Sequence, residues 1–199
     1  MAQGAMQQPW DAVAEHVQFS APLNLAALRK HVAPEAEILD LGCGYGRIAA
    51  QIVSAGFAHV RGYDSSARMI ARATAEQPQI LFRVADAATL PEADHAIDAV
   101  VTAALFTCIP QAQRRREIVA EVQRVLKPGG SVHGVEFLRA PDAASGAYTS
   151  SAGIAMWHFQ PEELRELFER FTGWTSWPKN VASLSGTSAT VLQFVAYTA

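Results

Sequence analysis

The chain has 199 residues, of which 50% are hydrophobic, and a formal net charge of −3. This length and apolar content suffice for one sizeable core, so we expect a single domain over residues 1–199. The negative balance gives no general attraction to phosphate backbones or anionic lipid, which argues against nucleic acid and membrane partners. The two cysteines, Cys43 and Cys108, belong to no C-x-x-C pair or Cys/His cluster, so neither a disulfide framework nor a metal site is indicated.

The N-terminal residues carry no recognisable targeting signal. They lack a basic segment followed by an apolar one, and no apolar run in the chain reaches the roughly 18 residues of a membrane span. We therefore expect a cytoplasmic protein, as a monomer or a homodimer. Apolar residues at helical spacing, interrupted by Pro22, predict two short helices that form an N-terminal cap over residues 1–33.

A turn with three alternating glycines follows the first predicted strand. It contains Asp40, Gly42, Cys43, Gly44 and Gly46, and a helical pattern begins directly after it. Glycine admits backbone conformations closed to other residues and lets a ligand lie against the main chain, and the following helix offers unpaired N–H groups. Two interpretations stay open for this turn alone, a tight connection without a ligand and a nucleotide-type site.

The details of the turn favour one kind of nucleotide ligand. A dinucleotide fingerprint needs a glycine where Arg47 stands, and the carboxylate of Asp40 would repel a pyrophosphate. S-adenosylmethionine carries an ammonium and a sulfonium and has no phosphate, so it suits this pattern. A nicotinamide-dependent oxidoreductase is the less favoured alternative.

Two further acids stand at the ends of predicted strands. The second strand ends at Asp64, about twenty residues beyond the glycine turn, where a carboxylate reaches the two hydroxyls of a ribose. The third strand leads to Asp86 and Ala87, which suit the exocyclic amine and a ring nitrogen of adenine. All three acids would lie on the carboxyl edge of a parallel sheet, where open α/β sheets bind ligands.

The remaining pattern continues the alternation of strands and helices. Strands are predicted at residues 36–41, 58–64, 79–84, 97–104, 131–138, 174–181 and 189–197, and helices at residues 48–53, 65–77, 111–126 and 161–171. Three arginines, Arg114, Arg115 and Arg116, near the start of the third of these helices are interpreted as a solvated face rather than an anion site. A Lys-Pro-Gly-Gly turn at residues 127–130 precedes the fifth strand.

These motifs, in this order, resemble the class I S-adenosylmethionine-dependent methyltransferases. The likeness covers about residues 36–138. It implies an α/β fold, a Rossmann-like three-layer sandwich with a mostly parallel seven-stranded sheet in the order 3-2-1-4-5-7-6 and with strand 7 antiparallel. Helices would cover both faces of that sheet.

The resemblance also implies which residues bind the cofactor, S-adenosylmethionine. They come from the glycine turn and from the ends of the second, third and fourth strands: Asp40, Gly42, Cys43, Gly44, Gly46, Asp64, Ser65, Asp86, Ala87, Ala103 and Leu105. Within this set, Asp40 would face the methionine end, Asp64 the ribose and Asp86 the adenine. The family supplies no universal catalytic residue.

The connection at residues 139–160 is long and becomes aromatic towards its end, which indicates a lid-like insertion over the site. Trp10 in the cap and Tyr148 and Trp157 in this insertion are candidates for an aromatic wall that binds the acceptor. Packing in the core is the alternative for these rings.

Methyl transfer from a sulfonium is an in-line displacement, which requires the acceptor to be held close and water to be excluded. A base is needed only when the acceptor must lose a proton before attack. Glu136 at the end of the fifth strand and His158 in the insertion are the candidate catalytic groups. A solvated strand end and a capping role are their respective alternatives.

The sequence therefore predicts S-adenosylmethionine-dependent methyl transfer to a small-molecule acceptor, and not to nucleic acid. The same acids would also serve a cyclase or lyase that acts on the methionine chain, or a non-catalytic binder, so these alternatives stay open. The acceptor side of the site must discriminate between them.

Overall fold

The computed structural model describes residues 9–140, 146–150, 152–182 and 188–199. Parts of three predicted segments lie outside the described residues. These are residues 1–8 of the N-terminal cap, residues 141–145 and 151 of the lid-like insertion, and residues 183–187 between the last two strands.

Helices and strands alternate through most of the described chain. The α-helices are α1 (Leu25–His31), α2 (Arg47–Ser54), α3 (Ala67–Glu76), α4 (Ala112–Val125) and α5 (Pro161–Leu167). The strands are β1 (Glu37–Leu41), β2 (His59–Asp64), β3 (Leu81–Val84), β4 (Ile97–Ala103), β5 (Leu126–Phe137), β6 (Gly146–Thr149), β7 (Ala155–His158), β8 (Thr172–Ala182) and β9 (Ser188–Tyr197). Short 3-10 helices occupy Pro9–Ala12 and Phe106–Cys108.

The main sheet has seven strands in the order β3-β2-β1-β4-β5-β9-β8, and β9 runs antiparallel to both of its neighbours. Strands β1 to β5 pair in parallel. This confirms the predicted order, because β8 and β9 are the predicted sixth and seventh strands. The strand order reverses between β1 and β4, which is where open α/β sheets form a ligand crevice.

Alternate residues of the central strand β1 face opposite layers of helices. Leu39 and Leu41 pack in one core cluster with residues of α4, while Ile38 packs in another with residues of α1 and α2. All three are at most 1% exposed. A parallel strand that is covered on both faces in this way explains why the sequence of β1 is almost continuously apolar.

Two segments differ from the sequence prediction. The first predicted cap helix is only the short 3-10 helix Pro9–Ala12 followed by turns, because its apolar side chains pack in a cluster around Tyr45 and Met69 instead of forming one helical stripe. The lid-like insertion contains the antiparallel pair β6 and β7, which the sequence did not indicate.

The start of β5 also differs from the prediction. Leu126 of β5 pairs with Ile97 of β4, and the next pair is Ser131 with Ala99. Between these two pairs β5 has more residues than β4. Residues 127–130 therefore protrude from the ladder, and the predicted glycine turn forms a bulge within the strand instead of a connection before it.

The interpretation of the three arginines as a solvated face is wrong for Arg115, which is 3% exposed. Successive helical residues point about 100° apart, so three neighbours cannot share one face. Arg115 lies on the buried face of α4 with Ile118 and Val122. Its neighbour Arg116 is exposed.

The buried guanidinium of Arg115 connects α4 to the loop before it and to the insertion. It donates to the backbone carbonyl oxygens of Ile109 and Pro110, each at 2.9 Å, and to Glu163 of α5 at 3.2 Å. The same group lies over the rings of Trp157 and Phe159, at 4.6 and 5.2 Å from their centroids. Arg115 thus replaces solvent as the partner of two carbonyl groups and one carboxylate.

We expect Arg115→Leu to lower the free energy of unfolding by about 2–3 kcal/mol, because it leaves the carbonyl groups of Ile109 and Pro110 without their donor and removes one of the two donors to Glu163. Urea unfolding of both proteins measures this difference. The matched control is Arg116→Leu on the exposed side of the same helix, which should stay within about 0.5 kcal/mol of the unmodified protein. Equal effects of the two changes would contradict the structural role of Arg115.

Candidate functional site

The glycine turn lies between β1 and α2 and has a backbone that other residues rarely adopt. Gly42, Gly44 and Gly46 have φ angles of 73°, 53° and 81°. A Cβ atom at Gly44 would stand 2.7 Å from the ring of Phe19, so this position also lacks space for a side chain. The backbone N–H groups of Gly42 and Cys43 donate to the carbonyl oxygen of Tyr63, which fixes the turn against β2.

Asp40, at the start of this turn, has only one of its two carboxylate oxygens hydrogen-bonded among the described residues. The side chain is 1% exposed, and its Oδ2 accepts from the backbone N–H of Ala49 at 2.9 Å. Among the described residues its buried Oδ1 has no hydrogen-bond partner. Burial raises the pKa of Asp40 to about 7, so a cationic or donating ligand group beside it would restore the ionised form.

Asp64 ends β2 and is linked to the glycine turn. Its Oδ2 accepts from the backbone N–H of Gly44 at 2.9 Å and its Oδ1 from that of Ser66 at 2.8 Å. Burial raises the pKa of this carboxyl as well. Each oxygen keeps further acceptor capacity, so a diol could donate to the same carboxylate.

Asp86 follows β3 at the outer end of the same edge and is more exposed. Its Oδ1 accepts from the backbone N–H of Ala88 and from the guanidinium of Arg114, and the bond to Arg114 is the main cause of its lowered pKa. Asp86 therefore stays ionised, and its carboxylate oxygens can accept further hydrogen bonds. Arg114 is a partner that the sequence reasoning missed.

The loop after β4 forms the next part of the edge. Ala104 has a φ of 59°, which is uncommon for a residue with a side chain, and its N–H donates to the carbonyl oxygen of Val135. Glu136 of β5 is fully buried and accepts from the backbone N–H groups of Phe106 and Thr107, at 3.1 and 2.7 Å, and from the Thr107 hydroxyl at 2.7 Å. Both carboxylate oxygens are thus engaged in holding the loop.

These elements surround one pocket of about 750 Å³ at the carboxyl edge of the sheet. Of the predicted cofactor residues, those that line it are Asp40, Gly42, Cys43, Gly44, Asp64, Ser65, Asp86, Ala87, Ala103 and Leu105. Gly46 does not line it: this residue caps α2, and its missing side chain makes room for Phe82. The structure therefore brings together ten of the eleven residues around one cavity.

The N-terminal segment supplies one wall of the pocket, and Trp10 lines it as predicted. Phe19 stacks on Tyr45 with ring centroids 5.2 Å apart, and Trp10 meets Phe19 edge-on at 5.8 Å. The guanidinium of Arg72 lies over the other ring of this stack, Tyr45, and donates to the carbonyl oxygen of Ala14. Phe19 was missed from the sequence because its contact with the glycine turn is long-range.

The other predicted acceptor and catalytic residues do not line the pocket. Trp157 faces away and donates its Nε1–H to Glu163. His158 stacks on Phe137, with centroids 5.7 Å apart, and contacts the ring of Tyr148 at 4.3 Å. Burial lowers the pKa of His158 to about 4, so its ring is neutral at physiological pH.

The apolar part of the pocket comes largely from residues outside the predicted site residues. They are Ala21, Ala104, Cys108, Phe137, Ile154 and Met156. Side chains alternate between the two faces of β7, so Met156 lines the pocket and Trp157 does not. This alternation in the sequence is the feature that distinguishes the two residues.

Comparison with known proteins agrees with this geometry. A family model described as "Methyltransferase domain" matches residues 38–130. The chain is 36% identical over 113 residues to a demethylmenaquinone methyltransferase of Chlorobaculum parvum, covering 54% of this chain and 44% of that protein. It is 32% identical over 126 residues to a tRNA (carboxymethyluridine(34)-5-O)-methyltransferase of Arabidopsis thaliana, covering 62% of this chain and 30% of that protein.

Among solved structures, an S-adenosylmethionine-dependent methyltransferase of Methanosarcina mazei superimposes with a TM-score of 0.77 at 25% identity, covering 86% of this chain and 96% of that chain. The chain spans less than half the length of the two curated relatives described above. These matches place residues 38–130 in the class I S-adenosylmethionine-dependent methyltransferase family, whose cofactor is S-adenosylmethionine. The unpartnered Oδ1 of Asp40 and the free acceptor capacity of Asp64 fit the ammonium and the ribose of that cofactor.

No helix among the described residues is long and apolar enough to cross a membrane.

Proposed function

We propose that the protein transfers the methyl group of S-adenosylmethionine to a small-molecule acceptor. The observation that carries this proposal is the division of one pocket into two chemically different parts. Asp40, Asp64 and Asp86 line one part, while side chains such as Phe137 and Met156 line the other. A cofactor with several donor groups suits the first part and leaves the second for an acceptor.

The cofactor residues have distinct roles in this proposal. Asp40 accepts from the ammonium, Asp64 from the ribose hydroxyls and Asp86 from the adenine amine, while the bare backbone at Gly42 and Gly44 lets the ligand approach closely. When bound, S-adenosylmethionine supplies an electrophilic methyl group, and the carbon–sulfur bonding pair stays on sulfur to give neutral S-adenosylhomocysteine. The protein's own contribution is to position the acceptor and exclude water.

The segments over the pocket act as a cap and a lid. Trp10 and its neighbour Pro9, together with residues 19–21, close one side, and the ribbon of β6 and β7 closes the other through Ile154 and Met156. His158 stacks on the ring of Phe137, and Tyr148 packs against His158. In this proposal they stabilise the acceptor wall, and neither acts as a base.

Two observations support a small-molecule acceptor over RNA, although one relative is named for a tRNA substrate. The net charge of −3 gives no general attraction to a phosphate backbone. The acceptor part of the pocket is also apolar and lies beneath the cap and the ribbon.

In the test, the purified protein is incubated with methyl-labelled S-adenosylmethionine in two separate reactions. The first contains a metabolite extract and the second contains total tRNA. We expect S-adenosylhomocysteine and a labelled small molecule in the first reaction, both detected by mass spectrometry, and none with Asp64→Ala. Label in tRNA alone would overturn the proposed acceptor class. Formation of methylthioadenosine without S-adenosylhomocysteine would instead indicate a reaction on the methionine chain.

A further inference from the structure

The pocket changes from polar to apolar along the edge of the sheet. Asp86, Asp64 and Asp40 lie at the carboxyl ends of β3, β2 and β1 in that spatial order. Near the ends of β4 and β5 the lining includes the six largely apolar side chains named above: Ala21, Ala104, Cys108, Phe137, Ile154 and Met156. We call this group of six the acceptor slot.

Side chains of the acceptor slot are well removed from solvent. Ala21, Ile154 and Met156 are 3%, 4% and 4% exposed, and Phe137 is 8% exposed. Burial also keeps the thiol of Cys108 protonated by raising its pKa. The walls of the slot are therefore neutral as well as largely apolar.

Several polar side chains next to the acceptor slot are already paired within the protein, and the guanidinium of Arg47 donates to the carbonyl oxygen of Ala21 at 2.6 Å. Ser20 donates its hydroxyl to the carbonyl oxygen of Ala182 at 2.6 Å, and the hydroxyl of Tyr148 donates to the sulfur of Met156 at 3.3 Å. Glu136 directs both oxygens towards Phe106 and Thr107. A charged acceptor would consequently lose its hydration in the slot without gaining a charged partner among the six residues that define it.

We infer that the acceptor slot takes an uncharged, apolar molecule and that buried apolar area determines which acceptor is bound. This inference rests on the proposed function and names the acceptor class. Met156 and Phe137 are the specificity-determining residues, because they contribute the largest side chains of the slot. The stacked ring of His158 holds Phe137 in place from behind.

Equilibrium binding to the protein saturated with S-adenosylhomocysteine tests the inference by calorimetry. The first probe set is 4-methylphenol, 4-ethylphenol and 4-propylphenol, for which we expect affinity to increase about fourfold with each added methylene. The second set is benzyl alcohol, benzoate and benzylammonium, in which the two ions should bind at least about tenfold more weakly than the alcohol. Absence of binding, no dependence on chain length, or equal binding of an ion would overturn the inference.

A pair of variants locates the probe in the slot. Met156→Gln places an amide among apolar groups and should weaken 4-propylphenol binding about tenfold, whereas Met156→Leu should remain within about threefold. Neither should change the affinity for S-adenosylhomocysteine by more than about twofold. Trp177→Gln on the exposed edge strand β8 is the control and should leave both affinities unchanged.

The two proposals fail in distinguishable ways. Methyl transfer to a charged acceptor would overturn the apolar class and retain the proposed function. Apolar probes that bind as expected, in a protein that transfers no methyl group to any acceptor, would retain the slot and overturn the proposed function. Equal effects of Met156→Gln and Met156→Leu on probe binding would remove Met156 from the acceptor slot and overturn the inference.

Discussion

Replacing Asp64 by alanine is expected to weaken the binding of S-adenosylmethionine at least about 100-fold. The carboxylate has two roles in the proposed complex, since it holds the N–H of Gly44 and offers acceptors to the ribose. Two hydrogen bonds to a charged group contribute about 1.5–3 kcal/mol each, which corresponds to a loss of this size or larger. Isothermal calorimetry with S-adenosylmethionine and S-adenosylhomocysteine measures it.

Two matched variants separate this role from general effects of removing a carboxylate. Asp86→Ala removes a more exposed acid at the adenine end and should weaken the binding of S-adenosylmethionine about tenfold, because fewer buried groups depend on it. Asp94→Ala removes an exposed acid that pairs with Arg124 away from the pocket and should not change binding. Undiminished affinity in a folded Asp64→Ala protein would contradict the assignment of the ribose site.

Ionisation of Glu136 is expected to give a large pH effect on both stability and turnover. Burial raises the pKa of this carboxyl to about 7, against the lowering effect of its hydrogen bonds from Thr107 and Phe106. Between pH 4.5 and 7 the native state therefore keeps a proton that the unfolded state releases. The corresponding stability is fully present below pH 4.5 and is lost as the pH rises to about 7, a change of about 3 kcal/mol.

Turnover should change in the opposite direction. Only the ionised carboxylate accepts all three donors of the loop after β4, so we expect kcat/KM to rise between pH 6 and pH 8 while stability falls. Glu136→Gln should lower kcat/KM about tenfold or more and abolish this part of both pH profiles. Asp40 has a similarly raised pKa, so the difference between the two proteins at each pH isolates Glu136.

The hydroxyl of Thr107 offers an independent control for the same loop. Thr107→Ser keeps the donor to Glu136 and the acceptor for the N–H of Phe137, whereas Thr107→Val removes both. We expect near-normal turnover in the first variant and a loss in the second. A Glu136→Gln protein with unchanged turnover and an unchanged pH profile would contradict the positioning role.

Much of the cofactor side could be predicted from the sequence because it is encoded locally. Asp40, Asp64 and Asp86 each lie within two residues of the end of a strand, and parallel strands bring their carboxyl ends to one edge. The glycine turn needs only the residues on either side of it. Local pattern and sheet geometry together were sufficient for this part of the site.

The acceptor side depends on contacts that local patterns do not contain. The aromatic composition of residues 139–160 predicts Trp157 in an acceptor wall, whereas β7 turns its ring towards Arg115. The direction of Arg115 itself follows from helix geometry and could have been derived. Phe19 meets Gly44 only through tertiary packing, so no local feature indicated it.

The packing of the N-terminal segment has a consequence for the order in which the chain folds. Phe19 is held by Tyr45, Asp11 by Ser66 and Arg72 by Ala14, over sequence separations of 26, 55 and 58 residues. Contacts between distant residues form late, because a long loop must close before they contribute. The pairing of β1 with β4 spans a comparable separation, so the N-terminal wall of the cofactor pocket forms at the same non-local stage of folding as its floor and not as an independent local unit.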